Sequence, residues 1–317
     1  MNVLILGAGA LGSLFGARLQ AGGYPVVLFS IDRAHMEAIR REGLRLEELD
    51  GRVQRVDIPA VSEPSKIPFV PDLVLVLVKA QATQSALDSV THLCSASTLF
   101  LTLQNGIGNI ERMAEAVDAK RILAGITAQG ATLVAPGRIR HGGNGPTSIG
   151  EVSQKPGRRV QDIVEAFTHS GLKAHATAHT LRVIWHKLLI NVGINALTGL
   201  AGVANGWIAA NGSARELAVA AVREGLAVAR AQGIDLEDSL LDDVIEVASS
   251  TAANTSSMLQ DVLQRRPTEI EAINGAVVSY ARASGLEAPV NWTLTQLVRT
   301  LQASYLQPEG SAYRRPA

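Results

Sequence analysis

The sequence predicts an α/β protein in two parts, a doubly wound parallel sheet over 1–178 followed by an all-α region over 179–317, and three observations carry that expectation. Short apolar runs alternate with helical stretches through the first half. The first run passes at once into a glycine-rich turn, "GAGALG". From about His179 onward the pattern is helical, with alanine-rich amphipathic stretches near 213–232, 238–252, 268–284 and 289–304.

Each early strand reads as a continuous apolar run, as suits a parallel sheet covered on both faces. "VLILG" (3–7) and "PVVLFS" (25–30) flank a helix from about Ala10 to Gly22, and "LVLVLVK" (73–79) and "TLFLTLQNG" (98–106) follow. Residues 121–150 change character. They are rich in glycine, threonine and turn residues and suggest short strands at the sheet edge. The tail "QPEGSAYRRPA" has no apolar periodicity and is expected to be mobile.

Composition narrows the function classes. The 317 residues are 47% hydrophobic, ample for a substantial core, and the 29 basic side chains equal the 29 acidic ones. No basic field favours nucleic acid. Cys94 is the only cysteine, which excludes an intrachain disulfide framework and a multi-cysteine metal site and suits a reducing cytoplasm. The opening "MNVLILGAGALG" lacks the basic segment of a signal peptide, and the apolar runs look too short or too interrupted to cross a membrane, so a soluble cytoplasmic protein is expected. Apolar helical surface would suit a homodimer.

The turn Gly7, Ala8, Gly9, Ala10, Leu11 and Gly12 sits between a strand and a helix, and each glycine has a geometric task. Gly7 permits the tight turn, Gly9 lets backbone approach a pyrophosphate, and Gly12 lets helix and strand pack closely. The helix N-terminus adds free N–H groups and partial positive charge. A Rossmann-type dinucleotide domain is the result, with nicotinamide favoured over flavin because no segment is evident to hold an isoalloxazine. The end of the second strand, "LFSIDRAH", leaves the choice of dinucleotide open. Ser30 and Arg33 favour the 2′-phosphate of NADPH, whereas Asp32 favours the 2′-hydroxyl of NADH and is equally placed to cap the next helix. NADPH is the expected cofactor, with NADH the alternative.

"WHKLLINVGINALTGL" (185–200) reads as a helix whose apolar run is interrupted by Lys187, Asn191 and Asn195. Steps of four residues turn a helix by about 400°, so these groups share one face. Buried amides and ammonium groups need partners, which makes three in register a candidate site rather than three solvated residues. A second cluster lies at 255–278, where Pro267 suits the first turn of a helix that would include Thr268 and Glu269. Taken alone, Glu269 would simply complement that helix dipole, with Ser256 and Ser257 as caps. Lys79 and Asn105 end or follow strands at the carboxyl side of the sheet, where ligands meet parallel sheets.

Together these residues resemble the ketopantoate reductase family. The resemblance rests on "GAGALG", "VKAQAT" (78–83), "LQNGIGN" (103–109), "WHKLLINVGINALTGL" and "SSMLQDVLQRRPTEIEAING" (256–275), and runs over nearly the whole chain in order. It implies a Rossmann-type NADP-binding domain followed by a helical substrate and catalytic domain, with the active site in the cleft between them. The implied reaction is NADPH-dependent reduction of a small-molecule 2-oxo acid, 2-dehydropantoate to (R)-pantoate, toward pantothenate and coenzyme A. By that similarity Lys187 is the general acid and Glu269 an important substrate-binding carboxylate. Asn191, Asn195, Asn205 and Ser257 line the substrate site, and Lys79 and Asn105 stand near the cofactor and the reacting carbonyl. Family members often carry an arginine directly after the second strand, whereas here Ser30, Ile31 and Asp32 precede Arg33. The competing readings are a reductase of a different 2-oxo acid on the same scaffold and a non-catalytic dinucleotide-sensing protein. No "GxSxG" nucleophile turn or "HExxH" is present to support a hydrolase or metal enzyme.

Overall fold

Strand residues of alternating direction supply two separate cores, one on each face of a single sheet. The computed structural model describes residues 1–152 and 155–306, so the predicted mobile tail lies outside the described residues. The chain forms two compact units, one of Met1–Gln104 with Gly108–Val183, the other of Asn105–Ile107 with the chain from Ile184 onward.

The described residues of the first unit form ten strands: β1 Val3–Leu6, β2 Val26–Phe29, β3 Leu44–Glu47, β4 Val53–Val56, β5 Ala60–Val61, β6 Leu73–Val76, β7 Leu99–Thr102, β8 Ile122–Ala135, β9 Arg138–Glu151 and β10 Ala174–Ala176. Their order is β4-β3-β9-β8-β7-β6-β1-β2-β5, with β10 paired to β9. The pairs β1–β2, β1–β6, β6–β7, β7–β8 and β2–β5 are parallel, while β8–β9 and β3–β4 are antiparallel, so the sheet is mixed around a parallel centre. Helices α1 Ala10–Ala21, α2 Arg33–Glu42 and α5 Arg158–His169 meet Val3, Ile5, Leu28 and Leu75 on one face. Helices α3 Thr83–Val90 and α4 Asn109–Ala114 meet Leu4, Leu6, Val27 and Val74 on the other. The period of two in each strand thus builds both layers.

Residues 121–150 depart from the expected short edge strands. They form two strands of 14 residues each, inside the sheet order rather than at its rim. A tight turn at Pro136 and Gly137 joins them, Gly137 taking φ +73. Their glycines serve close cross-strand approach rather than extra turns: a Cβ on Gly125 would lie 2.0 Å from the Ser148 carbonyl oxygen, and one on Gly145 would lie 2.4 Å from Ala128 Cβ. Three register shifts along the pair absorb the irregular pattern that obscured these strands in the sequence.

The second unit is helical: α6 Thr180–Ala201, whose first turn belongs to the first unit, then α7 Gly206–Ala210, α8 Gly212–Ala231, α9 Leu240–Ser250, α10 Ser257–Leu263, α11 Asn274–Ala283 and α12 Pro289–Leu306. Helix α6 contributes Leu188, Leu189, Val192 and Ala196 to a buried core that residues of α8 and α9 share. Gly193 lets α9 approach, since a Cβ there would stand 2.6 Å from Val244 Cγ1, and Gly225 of α8 makes the same room for Leu189. By length and composition alone α6 is the one helix among the described residues that could cross a membrane, although the sequence suggests runs too short or too interrupted to do so. Its apolar side chains are instead core, 67% of the relevant window being buried by the rest of the chain.

A carboxylate from α8 holds the start of α12. Glu224 accepts from the N–H groups of Val290 and Asn291 at 2.9 and 3.0 Å and from Asn291 Nδ2 at 2.8 Å, while Asn291 Oδ1 accepts from Asn274 Nδ2 at 3.0 Å. The chain ends on α6, where Asn274 Nδ2 also reaches the Val192 carbonyl at 3.3 Å. Replacing Glu224 by alanine should cost about 2 kcal/mol, because it strips a charged acceptor from three donors. Urea unfolding measures this, and a change within about 0.5 kcal/mol contradicts the capping role.

Candidate active site

The polar row predicted on "WHKLLINVGINALTGL" lies on α6, with Lys187 and Asn191 half-buried and Asn195 buried. Burial pulls the Lys187 ammonium down to about 8, against the opposing pull of the negative charge on Glu269. Its neighbour on the chain, His186, is exposed and sits 3.2 Å from Asp243 Oδ2, away from this row. Asn191 makes no side-chain hydrogen bond to the described residues, so its amide is available one helical turn from the lysine. Asn195 Nδ2 donates to Ser257 Oγ at 3.4 Å. Ser257 is exposed at the first turn of α10, and the preceding Ser256 caps that helix by accepting from the Leu259 N–H at 3.1 Å. Thr198 Oγ1, one turn beyond Asn195, lies 2.7 Å from Ser256 Oγ and so ties α10 to α6.

Glu269 is half-buried and its Oε2 accepts from Asn105 Nδ2 at 3.1 Å. It does not lie in the first turn of a helix begun by Pro267, as the sequence suggested. Pro267 is outside any helix, and Glu269 immediately precedes a single 3₁₀ turn, Ile270–Ala272. The cause is competition for the backbone: the Thr268 N–H and hydroxyl both donate to Gln302 Oε1 on α12, at 2.7 and 2.9 Å. Downstream the Ala272 carbonyl accepts from the Ile107 N–H at 3.2 Å. The segment Asn105–Ile107 thus joins the helical unit, although a sheet strand leads into it. Gly106 makes that approach practicable, with φ +85 and a would-be Cβ 2.1 Å from the Ala272 oxygen.

Asn205 stands apart from these contacts. It precedes α7, and its Nδ2 donates to Thr251 Oγ1 at 3.0 Å, leaving a buried Oδ1 with no partner among the described residues. In the first unit, Gly7 takes φ +103 and a Cβ there would lie 2.5 Å from the Val78 nitrogen; one on Gly12 would lie 2.4 Å from the Gly7 carbonyl oxygen. Nothing lies within 4 Å of a Cβ built on Gly9. Ala8 is buried, Ala10 and Leu11 half-buried. Asp32 caps α2, its Oδ1 accepting from the His35 N–H at 3.1 Å, and Ser30 Oγ accepts from the Asp32 N–H at 3.2 Å. Arg33 is exposed. Lys79 is half-buried at the start of a 3₁₀ turn, Ala80–Ala82. The described residues hold no group of three or more histidine, cysteine, aspartate or glutamate side chains placed for a metal ion.

The sequence singles out Lys187, Glu269 and Asn105 but not the groups that hold them in place. Gly106 was visible as a glycine after a strand; Gln302 and Thr198 gave no signal, since each looks like an ordinary polar helix residue.

A Rossmann-like α/β unit and a helical unit, with Lys187 and Glu269 in the second, are the parts that the relatives identify as an oxidoreductase. The chain belongs to the ketopantoate reductase family: the family model "Ketopantoate reductase PanE/ApbA" matches residues 3–154, and its C-terminal companion matches residues 180–302. A 2-dehydropantoate 2-reductase from Halobacterium salinarum is 39% identical over 95% of this chain and 99% of its own. The crystal structure of a PanE/ApbA family ketopantoate reductase from Ralstonia eutropha JMP134 superposes with a TM-score of 0.89 at 29% identity, covering 97% of this chain and 100% of that one. A D-mandelate dehydrogenase, solved with NADH and anilino(oxo)acetate, gives 0.90 at 27% identity over 96% of this chain and 99% of that one. One scaffold therefore serves more than one oxo-acid chemistry.

Gly106 and Gly108 share φ +85, but a Cβ at Gly108 meets only Arg112 atoms at 3.8 Å or beyond. Gly106→Ala should therefore lose clearly more stability than Gly108→Ala, by more than about 1 kcal/mol in urea unfolding. Equal losses would show that the Ala272 approach does not constrain the loop.

Proposed function

We propose that this chain reduces 2-dehydropantoate to (R)-pantoate with NADPH, in the cytoplasmic supply of pantothenate and coenzyme A. Residues 1–178 would serve as the dinucleotide-binding part and 179–317 as the helical substrate and catalytic part. The observation that carries the reading is the half-buried Lys187 whose charge Glu269 supports while Asn105 holds Glu269.

The glycine turn fits a dinucleotide. Gly9 faces open space, and the N–H groups of Ala10, Leu11 and Gly12 meet no backbone carbonyl among the described residues, so the start of α1 offers donors and partial positive charge to a pyrophosphate. Gly7 and Gly12 keep that turn tight. Ser30 and Arg33 would take a 2′-phosphate, and Asp32, already engaged as the cap of α2, supports NADPH over a ribose-pairing role. Lys79 and Asn105 would stand near the cofactor and the carbonyl. Reduced nicotinamide, when bound, supplies hydride to the ketone carbon. The Lys187 ammonium neutralises the charge that grows on the ketone oxygen and gives it a proton. At a pKa of about 8 the group is protonated at neutral pH yet more acidic than an ordinary lysine. Glu269 helps to keep the proton on Lys187 and accepts from the substrate, while Asn191, Asn195 and Ser257 offer amides and a hydroxyl to its carboxylate and hydroxyl without adding charge, and Asn205, its Nδ2 engaged by Thr251, would offer only its Oδ1 as an acceptor.

A second reading, reduction of a different 2-oxo acid, is favoured by the mandelate dehydrogenase likeness. Following loss of reduced cofactor across a panel of 2-oxo acids, with NADPH and NADH, distinguishes the two. The proposal expects the highest kcat/KM for 2-dehydropantoate with NADPH, and a bulkier or aromatic oxo acid in first place overturns the substrate.

Lys187→Ala should lower kcat by roughly two or more powers of ten, and an unchanged kcat removes the lysine from the acid role. The deprotonated amine has no proton to give, so wild-type kcat should fall as pH rises through about 8. Glu269→Gln removes the charge that raises the lysine's pKa, so the alkaline limb should move to lower pH and KM for the oxo acid should rise while KM for NADPH holds. A limb that stays in place, or a rise confined to NADPH, contradicts these roles.

A further inference from the structure

His35 is fully buried on α2, yet no step above uses it. Its ring connects three separate segments of the first unit. Nδ1 accepts the Gly137 N–H at 2.8 Å, from the turn between β8 and β9, whose glycine leaves no room for a side chain because a Cβ would lie 2.9 Å from Ala38 Cβ of α2. Nδ1 therefore carries no proton, and in the neutral ring the hydrogen sits on Nε2. Nε2 lies 3.0 Å from the hydroxyl of Ser13, itself fully buried, so Nε2–H donates and Ser13 Oγ accepts. The Ser13 hydroxyl hydrogen is then free to donate, and the acceptor at hand is the Ala8 carbonyl, 3.4 Å away. Burial lowers the pKa of His35, the Asp32 charge opposing, which favours the neutral form this chain requires.

The chain of donors runs one way, from Gly137 to His35 to Ser13 to Ala8, and ends in the glycine turn. Ala8 and Gly9 share a peptide plane. Its carbonyl is engaged by Ser13, and its N–H donates to the Gly7 carbonyl at 2.8 Å. Both polar ends of the peptide at the open glycine are thereby fixed, which sets the direction in which the first N–H groups of α1 point. The same residue holds the adenosine-side loop, since its backbone N–H satisfies Asp32.

We infer that His35 is a positioning residue for the dinucleotide, holding the Ala8–Gly9 peptide of the glycine turn in its phosphate-binding orientation through Ser13. The inference rests on the reading that this turn binds the dinucleotide. Its consequence falls on cofactor affinity, because every member of the chain belongs to the first unit, whereas the groups proposed for the oxo acid belong to the helical unit.

The test is calorimetric titration of the full-length protein with NADPH, alongside steady-state KM for the oxo acid at saturating NADPH. Ser13→Ala and His35→Phe should each weaken NADPH binding by about tenfold, the effect of loosening the hydrogen bond that holds the Ala8 carbonyl, and leave the oxo-acid KM within about twofold. His35→Gln, whose amide can still donate to Ser13, should recover most of the loss. A merely structural histidine would lower thermal stability without this split and without rescue. If His35→Phe does not fold, Ser13→Ala decides, being smaller and leaving the ring in place. NADPH affinity unchanged in a folded Ser13→Ala protein overturns the inference, as does an oxo-acid KM that rises in step. Wild-type protein that fails to bind NADPH overturns the cofactor reading itself, and this inference with it.

Discussion

The constraint on which the helical unit turns is the placement of an ammonium on an otherwise apolar helix. Lys187 emerges between Leu188, Leu189 and Trp185, all buried, and the free energy of keeping a charge there depends on a carboxylate being held within electrostatic reach. Glu269 is that carboxylate. Burial wins the contest, so the lysine settles below its ordinary range, but the opposing charge keeps it protonated at neutral pH. Without a fixed Glu269 only the lowering effect of burial would remain, and the lysine's pKa would fall further.

Much of the surrounding structure makes Glu269 stationary. Gln302 reaches from α12 to take both donors of Thr268, and Arg299, one turn earlier on α12, grips Glu271 at 2.6 and 2.5 Å. From the other side, Gly106 brings Ile107 onto the Ala272 carbonyl and Asn105 onto Glu269 itself. The Glu224, Asn291 and Asn274 series then sets α6 by way of the Val192 carbonyl. Supports of this kind hold a side chain in place because each partner is locked by its own hydrogen bonds.

How far the sequence reveals this depends on whether a residue's task is local. The strands β1, β2, β6 and β7 were legible because four-residue apolar runs buried on both faces have few other interpretations. Gly7 and Gly12 were legible because a turn between strand and helix leaves those positions no space for a Cβ. The long β8–β9 pair was misread because its glycines and bulges imitate turn composition, and only cross-strand approach explains them. Pro267 misled in the same way, since a local helix-start signal lost to Gln302, a partner 34 residues away from Thr268 in the chain. The row of Lys187, Asn191 and Asn195 could be read from helical spacing, whereas the contacts of Asn105 with Glu269 could not, their separation being 164 residues. Asp32 remained open between cap and ribose ligand in the sequence, and the structure shows it capping α2.

The most direct test is titration of the Lys187 side-chain nitrogen by NMR in protein labelled with ¹⁵N-lysine, the signal assigned by its absence in Lys187→Ala. A burial-depressed, carboxylate-supported ammonium should titrate at about 8. A midpoint near 10.4, the value of an ordinary solvated lysine, would contradict the account at its root.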